Sequence, residues 1–97
     1  MELSVLIPWR SAEPERDVIF NWVTARYHKL MPGIEVVTAD SSGEHFNRGQ
    51  ARNRAFEESS GDILLIADAD TIFDVGQIKA GAERIIGGAP WVIPYGW

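Results

Sequence analysis

"ILLIADADTIFD", residues 63–74, runs four apolar residues, Ile63 to Ile66, into an alternation of alanine and aspartate that sets Asp68 and Asp70 two positions apart. An apolar run without polar alternation is the pattern of a strand covered on both faces, as in parallel sheets packed between helices. Side chains two apart on an extended chain project to the same side, so both carboxylates address one point at the strand's carboxyl end. Like charges that close repel each other unless a cation or hydrogen-bond donors lie between them. The segment therefore predicts an α/β fold and a ligand site at the end of its strand.

The chain on either side agrees with that reading. "LSVLIP", Leu3 to Pro8, and "IEVVTAD", Ile34 to Asp40, are two further apolar runs, the second ended by the turn-like "SSG" at 41–43. Between them, Glu13 to Leu30 places Val18, Ile19, Trp22, Val23, Arg26 and Tyr27 at three- and four-residue spacings. That spacing predicts an amphipathic helix, stopped by Pro32 and Gly33. A second helix is expected from Asn47 to about Glu58 with Gly61 as its stop, and a third from about Asp74 to Ile86, closed by Gly87 and Gly88. "WVIPY" near the end reads as a fourth strand. The order βαβαβαβ implies a small three-layer, Rossmann-like α/β domain, a mostly parallel sheet of about four strands flanked by helices, spanning residues 1–97 as one unit. In such sheets ligands bind beyond the carboxyl ends of the strands.

Composition narrows the partners. The 97 residues are 45% hydrophobic and 24% charged, globular values for a single core. A net charge of −5 argues against a nucleic-acid or anionic-membrane partner held by bulk electrostatics, so any phosphate must be gripped locally. There is no cysteine, hence no disulfide and no thiolate metal site. "MELSVLIPWR" reads as neither a signal peptide nor a membrane span, and the expected location is the cytoplasm. "PWVIPYGW" places two tryptophans in the last seven positions; it reads either as a docked final strand or as an interface with a second copy or another chain.

Three loops follow the three strands, and each carries polar residues where the crevice should form: Trp9 and Arg10, Asp40 to Glu44, and Asp68 to Thr71. Two hard oxygen donors at 68 and 70 suit Mg²⁺ or Mn²⁺ and not zinc; the bland alternative is one aspartate capping the next helix and the other solvated. Arg48 and Arg52, at i and i+4 in the first turns of their helix, cost it a few tenths of a kcal/mol, which a bound anion such as a diphosphate or surface carboxylates such as Glu44 offset. Arg10 offers a planar guanidinium suited to bidentate phosphate contacts. Trp9 and Phe46 either stack a base or ribose or complete the core. Arg54 and Glu58 read as a helix surface pair, and neither His28 nor His45 as a metal ligand.

Together, "IPWR", "FNRGQARNRAFEESSGD" and "LLIADADTIFD" resemble the donor-binding half of GT-A fold glycosyltransferases, family 2 in particular, and the galactosyltransferase and chondroitin-polymerase relatives with an F-N-R motif upstream of a D-x-D. The resemblance implies that Pro8 and Arg10, on either side of Trp9, line the nucleotide pocket and that Asp40 contacts base or ribose. It also implies that Phe46, Asn47, Arg48 and Arg52 help hold the nucleotide. By the same resemblance Asp68 is expected to turn to ribose or metal, and Asp70 to ligate the Mn²⁺ or Mg²⁺ of the donor diphosphate. The implied donor is a nucleoside diphosphate sugar, UDP favoured over GDP, from which an acceptor hydroxyl takes the sugar. No carboxylate stands out as the acceptor-side base. Family members have an extra helix and strand before the A-R-N helix and continue well past the D-x-D, so the expectation is a trimmed donor half. A nucleotide-sugar-binding module without transfer activity is the alternative. "DADTI" also looks like the nucleophile loop of haloacid-dehalogenase phosphatases, but that family places it after its first strand and needs a lysine later than Lys79.

Overall fold

The computed structural model describes residues 3–69 and 74–88, which form three strands and three helices: β1 (Leu3–Pro8), α1 (Pro14–Leu30), β2 (Glu35–Ala39), α2 (Arg48–Glu58), β3 (Ile63–Ile66) and α3 (Val75–Ile86). The strands make one parallel sheet in the order β2-β1-β3. Val5 pairs with Val36 on one side and with Leu65 on the other, which makes β1 the central strand and accounts for its near-complete burial. The expected parallel α/β architecture is present; "WVIPY" lies outside the described residues.

Alternation along β1 sends its side chains to two different cores. Val5 and Ile7 pack with Val23 and Tyr27 of α1, Leu65 and Ala67 at β3, and Ile78 of α3. Leu6, fully buried, faces the other way, where α2 lies on β1 and β2. α2 can approach closely because it buries only Ala51 and Ala55, both completely shielded. Each large apolar side chain removed from water in this way contributes roughly 1.5–3 kcal/mol.

Two expectations need correction. The apolar stripe read along the first helix is only half buried: Val23 and Tyr27 face the sheet, with Phe20 and Met31 beside them, whereas Val18, Ile19 and Trp22 are 69%, 47% and 56% exposed. Phe20 lies three residues before Val23 and seven before Tyr27, so it shares their helix face, and that face rather than the Val18–Trp22 one packs on the core. The second helix ends at Glu58 as expected, but its stop is Ser59 and not Gly61: the extended backbone of Ser59 turns the chain, and its N–H donates to Phe56 O at 3.1 Å. The other boundaries follow local chemistry. Pro14 starts α1 at a position that needs no N–H, Gly33 (φ 85°) turns the chain after it, and the Asn47 and Asp74 side chains cap α2 and α3.

The buried Ser4 in the otherwise apolar β1 ties the amino ends of all three strands. Its hydroxyl donates to Glu35 Oε1 at 2.7 Å and accepts from Gly61 N at 2.9 Å, while Ser60 N and Oγ donate to the two oxygens of Glu35 at 2.8 and 2.9 Å. The Ser4 hydroxyl and then the Ser60 donors hold the Glu35 carboxyl below its ordinary value of 4.5. A depressed folded-state pKa stabilises the fold above the ordinary value and loses that contribution as pH falls through the folded one. Glu35→Gln is therefore expected to melt below the wild type at neutral pH, with the gap closing in acid as the wild-type carboxyl takes up its proton. Melting both proteins from pH 7 to pH 3 checks this, and a gap that does not change with pH would refute it.

Tyr27 is buried with its hydroxyl unpaired among the described residues, and burial pushes its pKa up to about 12 against a smaller opposing pull from Arg26, so the phenol stays protonated. None of the helices among the described residues is long and apolar enough to cross a membrane.

Candidate functional site

From β1 the chain leaves through α1 to β2 on one side, and from β2 it returns through α2 on the opposite face to β3 on the other side. The loops after β1 and β3 thus diverge, and the space between their carboxyl ends is the topological switch point where open α/β sheets hold ligands. The hydrogen bonding continues past the strands, Trp9 N donating to Ala39 O at 2.9 Å and Ala67 N to Leu6 O at 3.0 Å, which keeps the three strand ends together.

At that point lies a cleft of about 550 Å³. Its walls bring together Pro8, Trp9 and Arg10 after β1, Phe46 and Arg48 at the start of α2, and Asp68 with Ala69 after β3. Ala12 and Arg16, from the approach to α1 and its first turn, close it. Asp40, Asn47 and Arg52 are not part of this wall, and Asp70 lies outside the described residues.

Arg10 is spent on the loop after β2. Its Nε donates to both oxygens of Asp40 at 2.9 and 3.1 Å, Nη1 to Glu44 O at 2.8 Å, and Nη2 to Ser41 O and Gly43 O at 2.9 and 3.0 Å. Gly43, with φ 89°, supplies the left-handed turn that brings successive carbonyls onto one guanidinium. Phe46 lies 5.8 Å from the same guanidinium. In this geometry Arg10 shapes the loop and Asp40 holds Arg10, with Ser41 N donating to Asp40 Oδ1 at 2.6 Å.

The same loop is braced from α2. Arg54 donates to Asp40 O at 3.3 Å and to the Ser42 hydroxyl, Ser42 N donates to Gln50 Oε1 at 2.7 Å, and Asn47 N donates to Ser41 Oγ at 2.7 Å. Arg54 is thus a loop brace, where the sequence suggested a surface pair with Glu58. Asn47 is the N-cap of α2, its side chain accepting from Gln50 N at 3.0 Å. Arg52, one turn beyond Arg48, is exposed.

Arg48 forms an ion pair with Asp68 across the cleft, joining the first residue of α2 to the loop after β3. Both side chains are open to solvent, 63% and 48% exposed, so a ligand that separates them gives up little stability. Trp9 is stacked on Phe20, rings 4.6 Å apart and 2° from parallel, and the Arg16 guanidinium lies 5.6 Å from the Trp9 ring. Trp9 thus packs against the core, one of its two readings, and also lines the cleft.

Arg16, Arg54 and Gln50 were not legible as site or loop residues. Arg16 carries one local signal, a cation in the first turn of a helix, where the dipole disfavours positive charge.

A family model described as Glycosyl transferase family 2 matches residues 23–94. No curated protein and no solved structure gives a match. The matched span holds β2, α2, β3 and both partners of the ion pair across the cleft, and the D-x-D segment lies within it rather than behind a first strand as a phosphatase loop would. The chain belongs to glycosyl transferase family 2.

Proposed function

We propose that the protein is a metal-dependent glycosyltransferase that binds a nucleoside diphosphate sugar, UDP favoured over GDP, in the cleft between β1 and β3 and passes the sugar to an acceptor hydroxyl. The observation that carries this reading is the Arg48–Asp68 pair on the cleft wall, a cation and a carboxylate that each have a natural partner in a metal–diphosphate complex.

The residues fit a hard divalent ion. Asp68 presents a half-exposed carboxylate to the cleft, and the guanidinium on it belongs to an equally open side chain that can turn away. Among the described residues no group of three His, Cys, Asp or Glu side chains gathers to cage an ion; a site built on one or two carboxylates, completed by water and phosphate oxygens, is the kind Mg²⁺ uses. A bound Mg²⁺ or Mn²⁺ supplies neutralising charge to the leaving nucleoside diphosphate.

The chain's own residues do the rest. Arg48, freed from Asp68, stands at the amino end of α2, where open N–H groups and the helix dipole add to its attraction for phosphate. Arg10 and Arg54 hold the 40–44 loop in the shape that sets Phe46 at the cleft edge. Trp9 and Phe46 form apolar walls that suit a base or ribose. With phosphate, base and sugar so oriented, an acceptor hydroxyl reaches the anomeric carbon from the face opposite the leaving group.

Calorimetry and nucleoside diphosphate release, measured on UDP- and GDP-sugars with and without Mn²⁺, test the proposal. Metal-dependent binding and release are expected. Binding without release to any acceptor or to water assigns instead a nucleotide-sugar-binding module, and no binding by the folded protein removes both readings.

A further inference from the structure

We infer that Arg16, in the first turn of α1, is a phosphate-binding residue of this cleft that acts together with Arg48; the inference rests on the nucleotide-sugar reading above. Arg16 lies before the span matched by the family model, which begins at residue 23.

Three observations point to Arg16. First, it lines the main cleft and also a side pocket of about 120 Å³ bounded by Trp9, Ile19 and Ala69, so it stands where the two spaces meet. Second, its charge sits where its own helix disfavours it. It is the third residue of α1, in the turn where the helix dipole is positive and alongside the acidic Glu15 and Asp17. The acidic neighbour Asp17 accepts from the Ser11 hydroxyl at 2.9 and 2.8 Å, and the ion pairs among the described residues are Arg10–Asp40 and Arg48–Asp68, neither of which includes Arg16. A cation so placed gains from an anion in the cleft what the fold around it does not supply. Third, it is oriented before any ligand arrives. The guanidinium lies against Trp9, and Trp9 is itself fixed by stacking on Phe20, which reduces the side-chain freedom lost on binding.

The placement also bears on the size of the anion. α1 and α2 pack on opposite faces of the sheet, and each contributes one arginine, Arg16 or Arg48, to the cleft lining. Arg10, the remaining arginine of the wall, is occupied by the 40–44 loop. An anion held by both Arg16 and Arg48 meets two guanidinium groups from two helices, and a diphosphate can offer one phosphoryl group to each.

The test titrates UDP and GDP, the corresponding monophosphates and the free nucleosides, each with Mg²⁺, into wild type, Arg16→Gln and Arg16→Lys, with a melting curve for each protein. Arg16→Gln is expected to weaken diphosphate binding about ten- to a hundredfold, monophosphate binding severalfold at most, and nucleoside binding not at all. Arg16→Lys should recover part of the diphosphate loss, because charge returns without the planar fork. Equal binding of diphosphates by Arg16→Gln and wild type overturns the inference and leaves the donor reading intact. Equal losses for nucleoside, monophosphate and diphosphate also overturn it, since they assign Arg16 to supporting Trp9. A wild type that binds none of the six compounds removes the donor reading and this inference with it.

Discussion

Replacing Arg10 with alanine is expected to destabilise the protein by about 2 kcal/mol and to abolish donor binding at the same time. One guanidinium holds the Asp40 carboxylate and the carbonyls of Ser41, Gly43 and Glu44, with its side chain only 23% exposed. Without it the carboxylate loses its counter-charge and the three carbonyls lose the donor that gathers them. They can rehydrate, which keeps the loss to a few kcal/mol, but they do so by opening the loop that leads into Phe46 and the start of α2. Arg10→Lys should recover little, because a point charge cannot donate in four directions within one plane. Urea denaturation gives the stability change and calorimetry with a nucleoside diphosphate gives the binding change. An Arg10→Ala protein that binds normally would show that the loop's shape is irrelevant to the site.

Asp68→Asn should divide the two effects the other way. The Arg48–Asp68 pair is exposed on both sides, so its loss changes stability by less than about 1 kcal/mol. Asparagine keeps the shape of the side chain but surrenders the charge that favours a divalent ion and disperses its attraction for the diphosphate. Metal-dependent nucleoside diphosphate release is expected to fall about a hundredfold or more, roughly 2.7 kcal/mol of transition-state stabilisation. A metal titration of the rate should show a weakened apparent affinity for Mn²⁺ as well. Unaltered release from Asp68→Asn would remove this carboxylate from the proposed mechanism. The contrast between the two variants separates a residue that builds the site from one that acts in it.

The element order was legible because strand and helix signals are local. Four apolar residues ending in aspartates, "LSVLIP" closed by proline, and helices bounded by Asn47, Asp74 and the Gly87–Gly88 pair carry their own stop and start chemistry. The face of α1 was not legible in the same way. Val18, Ile19 and Trp22 satisfy helical periodicity as well as Phe20, Val23 and Tyr27 do, and only the docking of the helix on the sheet decides which set is covered.

The candidate site divides along the same line. Residue types at the strand ends, arginines beside carboxylates and aromatics, are written in the sequence, and so is the order of strands and helices, which determined the α/β fold. Who partners whom was decided by the tertiary structure. The β2-β1-β3 order places the loop after β2 against Arg10, so an arginine readable as a phosphate clamp becomes the centre of a loop, and it places Asp68 opposite Arg48. It also brings Arg16, a helical residue with no motif around it, to the same cleft. An ionic side chain reaches only a few ångströms, and the groups within that reach come from residues about thirty positions away along the chain, as for Arg10 and Asp40 with a separation of 30. Local pattern holds no record of such distances, because they exist only once the strands have paired.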